Sequence, residues 1–162
     1  MSKHTLQVAP RGEREVVMSR RFDAPRPLVF DAHTKPELLK RWFHGPDGWR
    51  LEVCEVDLRV GGKVRFVWAG PDGPAMGLSG VHKDIEIPSR IVRTEKFDQD
   101  WTGGETLGTT VFDERDGGTE VTVTVEYASK EGRDGALASN MAEGVGAAFD
   151  RLERQIAAGE IA

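Results

Sequence analysis

The sequence predicts an α+β fold: a curved antiparallel sheet of seven strands gripping one long C-terminal helix. Three observations lead there. Six of the strands follow one another with short, turn-forming connections, so consecutive strands pair as hairpin neighbours. In residues 119–127, Val121, Val123, Val125 and Tyr127 alternate with Thr122, Thr124 and Glu126, which gives one dry face and one wet face. The segment long enough to cover the dry face is 135–158. Its apolar residues Leu137, Met141, Val145, Ala148, Phe149, Leu152 and Ile156 recur by threes and fours, opposite Glu143, Asp150, Arg151, Glu153 and Arg154.

In chain order, residues 1–12 read as a flexible polar arm, and 13–160 as a single domain. Residues 15–22 are rich in β-formers and give the first strand. Asp23 is the expected cap of a short helix running to Thr34, with Pro25 and Pro27 tolerated at its start and Leu28, Val29 and Ala32 turned inward. A second short helix over 36–42 buries Leu38, Leu39 and Trp42. A glycine-punctuated loop, Phe43-His-Gly-Pro-Asp-Gly-Trp, then leads to strands at 50–58, 63–69, 75–87, 90–97, 106–114 and 119–127. Gly144 and Gly146 interrupt the long helix beside Val145. Each costs a helix interior about 1 kcal/mol relative to alanine, so a close contact or a space kept open must account for them.

Several function classes are disfavoured at once. The net charge is −5 and no Lys/Arg block exceeds two residues, so nucleic acid is not the expected partner. No apolar run suits a signal peptide or a membrane span, so a cytoplasmic protein is expected. The single cysteine, Cys54, sits mid-strand and reads as a packed thiol. Four histidines without a His-x-His or His-x-x-x-His pair give no metal site, and the glycines lack dinucleotide-binding spacing. No cofactor is expected.

The residues also carry a family resemblance. Arg21-Phe-Asp-Ala-Pro-Arg-Pro-Leu-Val-Phe-Asp-Ala, followed by Thr34-Lys-Pro-Glu-Leu-Leu-Lys-Arg-Trp-Phe, resembles the opening of the SRPBCC (START/Bet v-like) superfamily. More narrowly it resembles the homologues of the activator of the heat-shock protein 90 ATPase. Asp57-Leu-Arg-Val-Gly-Gly, Pro88-Ser-Arg-Ile-Val, Gly118-Thr-Glu-Val-Thr-Val and Phe149-Asp-Arg-Leu follow in the family's order, spanning about 16–156. The resemblance implies a helix-grip fold with a hydrophobic cavity between long helix and sheet. Many relatives have tryptophan after the mid-helix glycine, where this chain has Val145, which implies a larger cavity here.

Strand parity collects the candidate walls. Phe66 and Trp68 share a face, as do Met76, Leu78 and His82. Ile91, Arg93, Glu95 and Phe97 share another, so Arg93 and Glu95 either pair inside the cavity or are turned to solvent by a bulge. Trp42 and Trp101 fall in the helix–loop entrance and a strand connection. The leading expectation is a small hydrophobic molecule bound in the cavity. Trp42, Phe66, Trp68, Met76, Phe97, Trp101, Met141, Val145 and Phe149 give apolar contact, with His82 and Glu95 fixing orientation and Arg93 and His33 as further polar groups. The alternatives are a cyclase- or dehydratase-like enzyme using the same cavity and, as the family name implies, a module that binds a chaperone. The sequence points more to binding than to catalysis and leaves the oligomeric state open.

Overall fold

Alternating hydrophobicity and turn chemistry produce one open antiparallel sheet, described for residues 4–162 in a computed structural model. The strands are β1 (Gln7–Arg11), β2 (Glu15–Phe22), β3 (Arg50–Val56), β4 (Lys63–Ala69), β5 (Met76–Glu86), β6 (Arg90–Phe97), β7 (Thr106–Arg115) and β8 (Gly118–Glu126). Their order across the sheet is β1-β2-β8-β7-β6-β5-β4-β3. Strands β3 to β8 form a meander, and β2 docks antiparallel on β8 with Val16 opposite Val125 and Met18 opposite Val123. This is an α+β architecture matching the helix-grip fold, with eight strands where the sequence predicts seven.

The added strand is β1, from the expected arm. It pairs with β2 through a turn at Gly12, whose φ is +58°. Both its faces are exposed and it contains Pro10, so it has no alternation to read; such features belong to edge strands.

The helices are α1 (Arg26–Thr34), α2 (Pro36–Trp42), α3 (Lys130–Ala138) and α4 (Met141–Ala157). Pro25, not Asp23, caps α1, and Leu28 is only partly buried. The single long helix expected over 135–158 is two. Ser139 is extended, its hydroxyl donates to the Ala136 carbonyl at 2.6 Å, and its oxygen accepts from the Met141 amide at 3.2 Å. A serine bonded to its own neighbouring backbone competes with the helical ladder. Ser129 caps α3 by accepting from the Gly132 amide at 3.0 Å.

The concave face of the sheet is the dry one. Toward one end it is closed: Phe22, Phe66, Phe112 and Val121 pack with Val29, Phe30 and Ala32 of α1 and with Phe149 and Leu152 of α4. Phe22 meets Phe149 edge-on at 5.3 Å between ring centroids. Arg20 of β2, fully buried, holds α4 to the sheet by donating to Asp150 at 2.9 Å and to Glu153 at 2.8 Å. Arg151 donates to the Trp42 carbonyl at 2.9 Å and ties α4 to α2. The C-terminal half of α4 is therefore fixed, and its N-terminal half lies where the packing opens.

Candidate functional site

A pocket of about 540 Å³ lies between the N-terminal half of α4 and the concave face of the sheet. Each strand contributes through alternate residues, as the pleat requires. They are Met18 from β2, Phe66 and Trp68 from β4, Met76 and Leu78 from β5, and Ile91, Arg93, Glu95 and Phe97 from β6. Thr106, Gly108 and Thr110 come from β7, and Val123 and Val125 from β8, with Tyr127 just beyond it. Helix α4 supplies Met141, Gly144, Val145, Ala148 and Phe149. His33, Leu39 and Trp42 come from the paired short helices, and Phe43 and Trp49 from the loop after them.

The aromatic wall is held by its own polar tips. Trp42 donates its indole N–H to the Ala32 carbonyl at 2.9 Å, and Trp68 donates to Phe43 at 2.7 Å. Phe43 meets Trp68 at 5.4 Å and Phe66 at 5.7 Å, both edge-on. Buried indole N–H groups satisfied in this way leave the ring faces free for apolar contact. Met76 and Trp101 line the pocket yet are 40% and 43% exposed, which puts them at its mouth.

Of the site residues named from sequence, twelve line the pocket: Trp42, Phe66, Trp68, Met76, Glu95, Phe97, Trp101, Met141, Val145 and Phe149, together with Arg93 and His33. His82 does not. It shares the face but lies deeper, 1% exposed, with Nδ1 bonded to the Asp57 carbonyl at 2.9 Å. It clamps the β3–β4 turn, where its backbone also pairs with Gly61 and Gly62. Arg93 and Glu95 do face inward, because the irregularity in this part of the sheet falls on β5 between His82 and Asp84 and leaves the parity of β6 intact. Tyr127 and Trp49 are additions. The alternation of β8 already pointed Tyr127 inward, and Trp49 is turned in where its ring lies against the bare backbone of Gly70.

The mid-helix glycines serve two different surroundings. A Cβ on Gly144 would meet nothing within 4 Å, and Gly144 borders the pocket. A Cβ on Gly146 would rest against Leu6 at ordinary contact distance. Gly144 and Val145 both border the pocket.

The electrostatics are sparse. Arg93 donates from Nε to Glu95 at 2.7 Å, and its guanidinium carbon lies 5.3 Å from the centre of the Phe66 ring. His33 donates from Nδ1 to the Val29 carbonyl at 2.8 Å in its neutral form, while its Nε2 is buried without a partner. Burial pushes His33 down to about 4, with Arg93 a lesser cause. Burial, assisted by Glu95, pushes the Tyr127 phenol up to about 12. Neither group changes protonation near neutrality, so neither is tuned for acid–base exchange at pH 7. The Cys54 thiol, outside the pocket lining, is raised to about 11 by burial, so little of it is the nucleophilic thiolate at pH 7. Among the described residues no group of three or more His, Cys, Asp or Glu side chains could hold a metal ion, and no helix is long and apolar enough to cross a membrane.

A long helix gripped by a curved sheet, over an apolar pocket, can be compared with known proteins. Residues 23–157 match the family described as "Activator of Hsp90 ATPase homolog 1-like protein". The chain belongs to this family. Among solved structures, a Rhodobacter sphaeroides protein is 36% identical, with a TM-score of 0.90 over 95% of this chain and 99% of that one. A Nitrosomonas europaea protein is 24% identical, with a TM-score of 0.80 over 93% of this chain and 99% of that one. An AHSA1-like protein from Aeromonas hydrophila, 21% identical, superposes with a TM-score of 0.71 over 91% of this chain and 95% of that one. The last two likenesses establish the fold alone. No curated protein is significantly similar to the chain.

Proposed function

We propose that the protein binds a small, predominantly apolar molecule in the pocket between α4 and the sheet. The observation that carries this reading is an opening of about 540 Å³ where a packed core would otherwise continue. Protein interiors are close-packed, and ligand sites commonly span 300–1,000 Å³ with mostly apolar walls. Burying roughly 200 Å² of apolar ligand surface contributes about 5 kcal/mol before ordering costs, which by itself corresponds to a dissociation constant on the order of 0.2 mM; burying roughly 350 Å² would bring the gross contribution to about 9 kcal/mol. Phe66, Trp68, Phe97, Met141, Val145 and Phe149 provide the apolar contact, and Glu95 with Arg93 provides polarity at one place.

The test is a thermal-shift screen of rigid apolar compounds against the protein and its Val145→Trp variant. Compounds that raise the melting temperature of the first and not of the second support binding in this pocket. Equal shifts in both exclude it.

A second reading comes from the family, whose description refers to an activator of the Hsp90 ATPase. Met76 and Trp101, exposed together at the mouth, are the surface such a partner would use. Stimulation of a chaperone ATPase that is abolished by Trp101→Ala would favour that reading over a ligand-binding one.

A further inference from the structure

The pocket contains one charged pair in a wall that is mostly apolar and aromatic, and the geometry of that pair is incomplete. Arg93 and Glu95 are 19% and 21% exposed and sit two residues apart on β6, both facing the pocket. Arg93 gives Glu95 only its Nε, at 2.7 Å. A guanidinium has five N–H donors. The four on Nη1 and Nη2 have no hydrogen-bond partner among the described residues. The same sheet shows a satisfied arginine for contrast. Arg65 meets Asp98 with Nη1 and Nη2 on its two oxygens, both at 2.8 Å, and adds Ser79 at 2.9 Å. An arginine that only braced the sheet would use its fork in that way.

The space around the pair is also kept clear. Arg93 pairs across β7 with Gly108, which lines the pocket, and a Cβ there would already stand 3.5 Å from Glu95 Oε1. The pocket-lining strand position beside the pair therefore carries no side chain.

Building on the pocket reading above, we propose that Arg93 selects the occupant: an uncharged apolar molecule bearing a carbonyl oxygen that accepts from the Arg93 terminal amino groups. Charge bookkeeping decides against the other head groups. Glu95 already balances the guanidinium, so a ligand carboxylate would leave a net negative charge in an apolar site, which is costly. A pure hydrocarbon would shield the free N–H groups from water and give them nothing. A carbonyl oxygen satisfies them without adding charge. The guanidinium carbon also lies over the Phe66 ring, 5.3 Å from its centre, a cation–π contact that favours this position of the side chain.

The experiment is calorimetric titration with three biphenyls of one shape: 4-acetylbiphenyl, 4-ethylbiphenyl and biphenyl-4-carboxylate. The expected order places the ketone about tenfold or more tighter than the ethyl compound, the increment of one hydrogen bond to a charged donor. The carboxylate is expected to bind more weakly than the ketone. In the Arg93→Met/Glu95→Gln double variant, which leaves no lone buried charge, the ketone-to-ethyl affinity ratio is expected to fall to near one. Equal binding of ketone and ethyl compound by the unaltered protein, a carboxylate that binds tightest, or a ratio that survives in the double variant would each overturn the role of Arg93 and leave the pocket reading standing. Absence of binding by all three overturns the pocket reading, and this inference with it.

Discussion

Replacing Val145 by tryptophan tests the relation between α4 and the space beside it. Val145 is half-buried and lines the pocket. An indole at 145 can extend into the pocket volume that Val145 borders. A tryptophan buries on the order of 100 Å² more apolar surface than valine when fully covered, worth about 2.5 kcal/mol. In a pocket open at one side, roughly half of that is expected, about 1 kcal/mol. The melting temperature should rise by about 3 °C for a domain of this size. The same ring occupies the ligand's place, so affinity for 4-ethylbiphenyl should fall by about tenfold or more, equivalent to losing some 1.4 kcal/mol of contact. Differential scanning calorimetry and calorimetric titration read the two effects independently. A variant that melts lower than the parent protein and binds 4-ethylbiphenyl unchanged would mean that tryptophan is forced against packed atoms and that the pocket lies elsewhere.

Other outcomes follow from single contacts. Gly144→Ala should stabilise the protein by about 1 kcal/mol through helix propensity, because its Cβ enters open space. Gly80→Ala should destabilise it by about 2 kcal/mol or more, because a Cβ there would overlap the Thr94 carbonyl oxygen of the neighbouring strand; urea unfolding compares the two glycines directly. Arg20→Met leaves Asp150 and Glu153 facing an apolar site and should cost about 2 kcal/mol, discounted from a fully buried pair because Asp150 retains water contact; a cost near zero would contradict the anchoring role. His33 has its folded pKa lowered from 6.5 to about 4, so the unfolded chain binds an extra proton between those values. Stability should be fully present above pH 6.5 and be lost as the pH falls toward 4, at up to roughly 1.4 kcal/mol per pH unit for this one group. His82 and His44 are lowered too and act in the same direction, so the check is the difference between the parent protein and His33→Phe: the variant's stability should depend less steeply on pH across this window.

Much of the fold was legible because alternation is a local signal. The strands Glu15–Phe22, Lys63–Ala69 and Arg90–Phe97 lie where period two and turn residues put them. Parity put Arg93 and Glu95 on the face of Ile91 and Phe97 but left open a bulge that would turn them to solvent; no bulge interrupts β6, and both face the pocket. Parity gives the face but not the depth along a strand. His82 shares the face of Met76 and Leu78, yet it lies further along β5, where its bond to Asp57 and its backbone pairing with Gly61 and Gly62 hold it against the β3–β4 turn. The break between α3 and α4 was masked because Leu137 to Met141 is itself a helical step, although Ser139-Asn140 is good capping sequence. β1 was missed because an edge strand wet on both faces has no hydrophobic pattern at all. The open space beside Gly144 was suggested by the glycines, and only the packing of the C-terminal half of α4 shows which end of the helix is free.

Methyl resonances offer the most direct test of binding between α4 and the sheet. In a carbon–proton correlation spectrum titrated with 4-acetylbiphenyl, the methyl groups of Met18, Leu78, Val123, Val125, Met141 and Val145 should shift and saturate together, since all line the pocket. Those of Val53, Val60 and Val111, which do not line it, should stay in place. Saturable shifts confined to the second group, or no shifts at a concentration that saturates the calorimetric signal, would contradict ligand binding in this pocket.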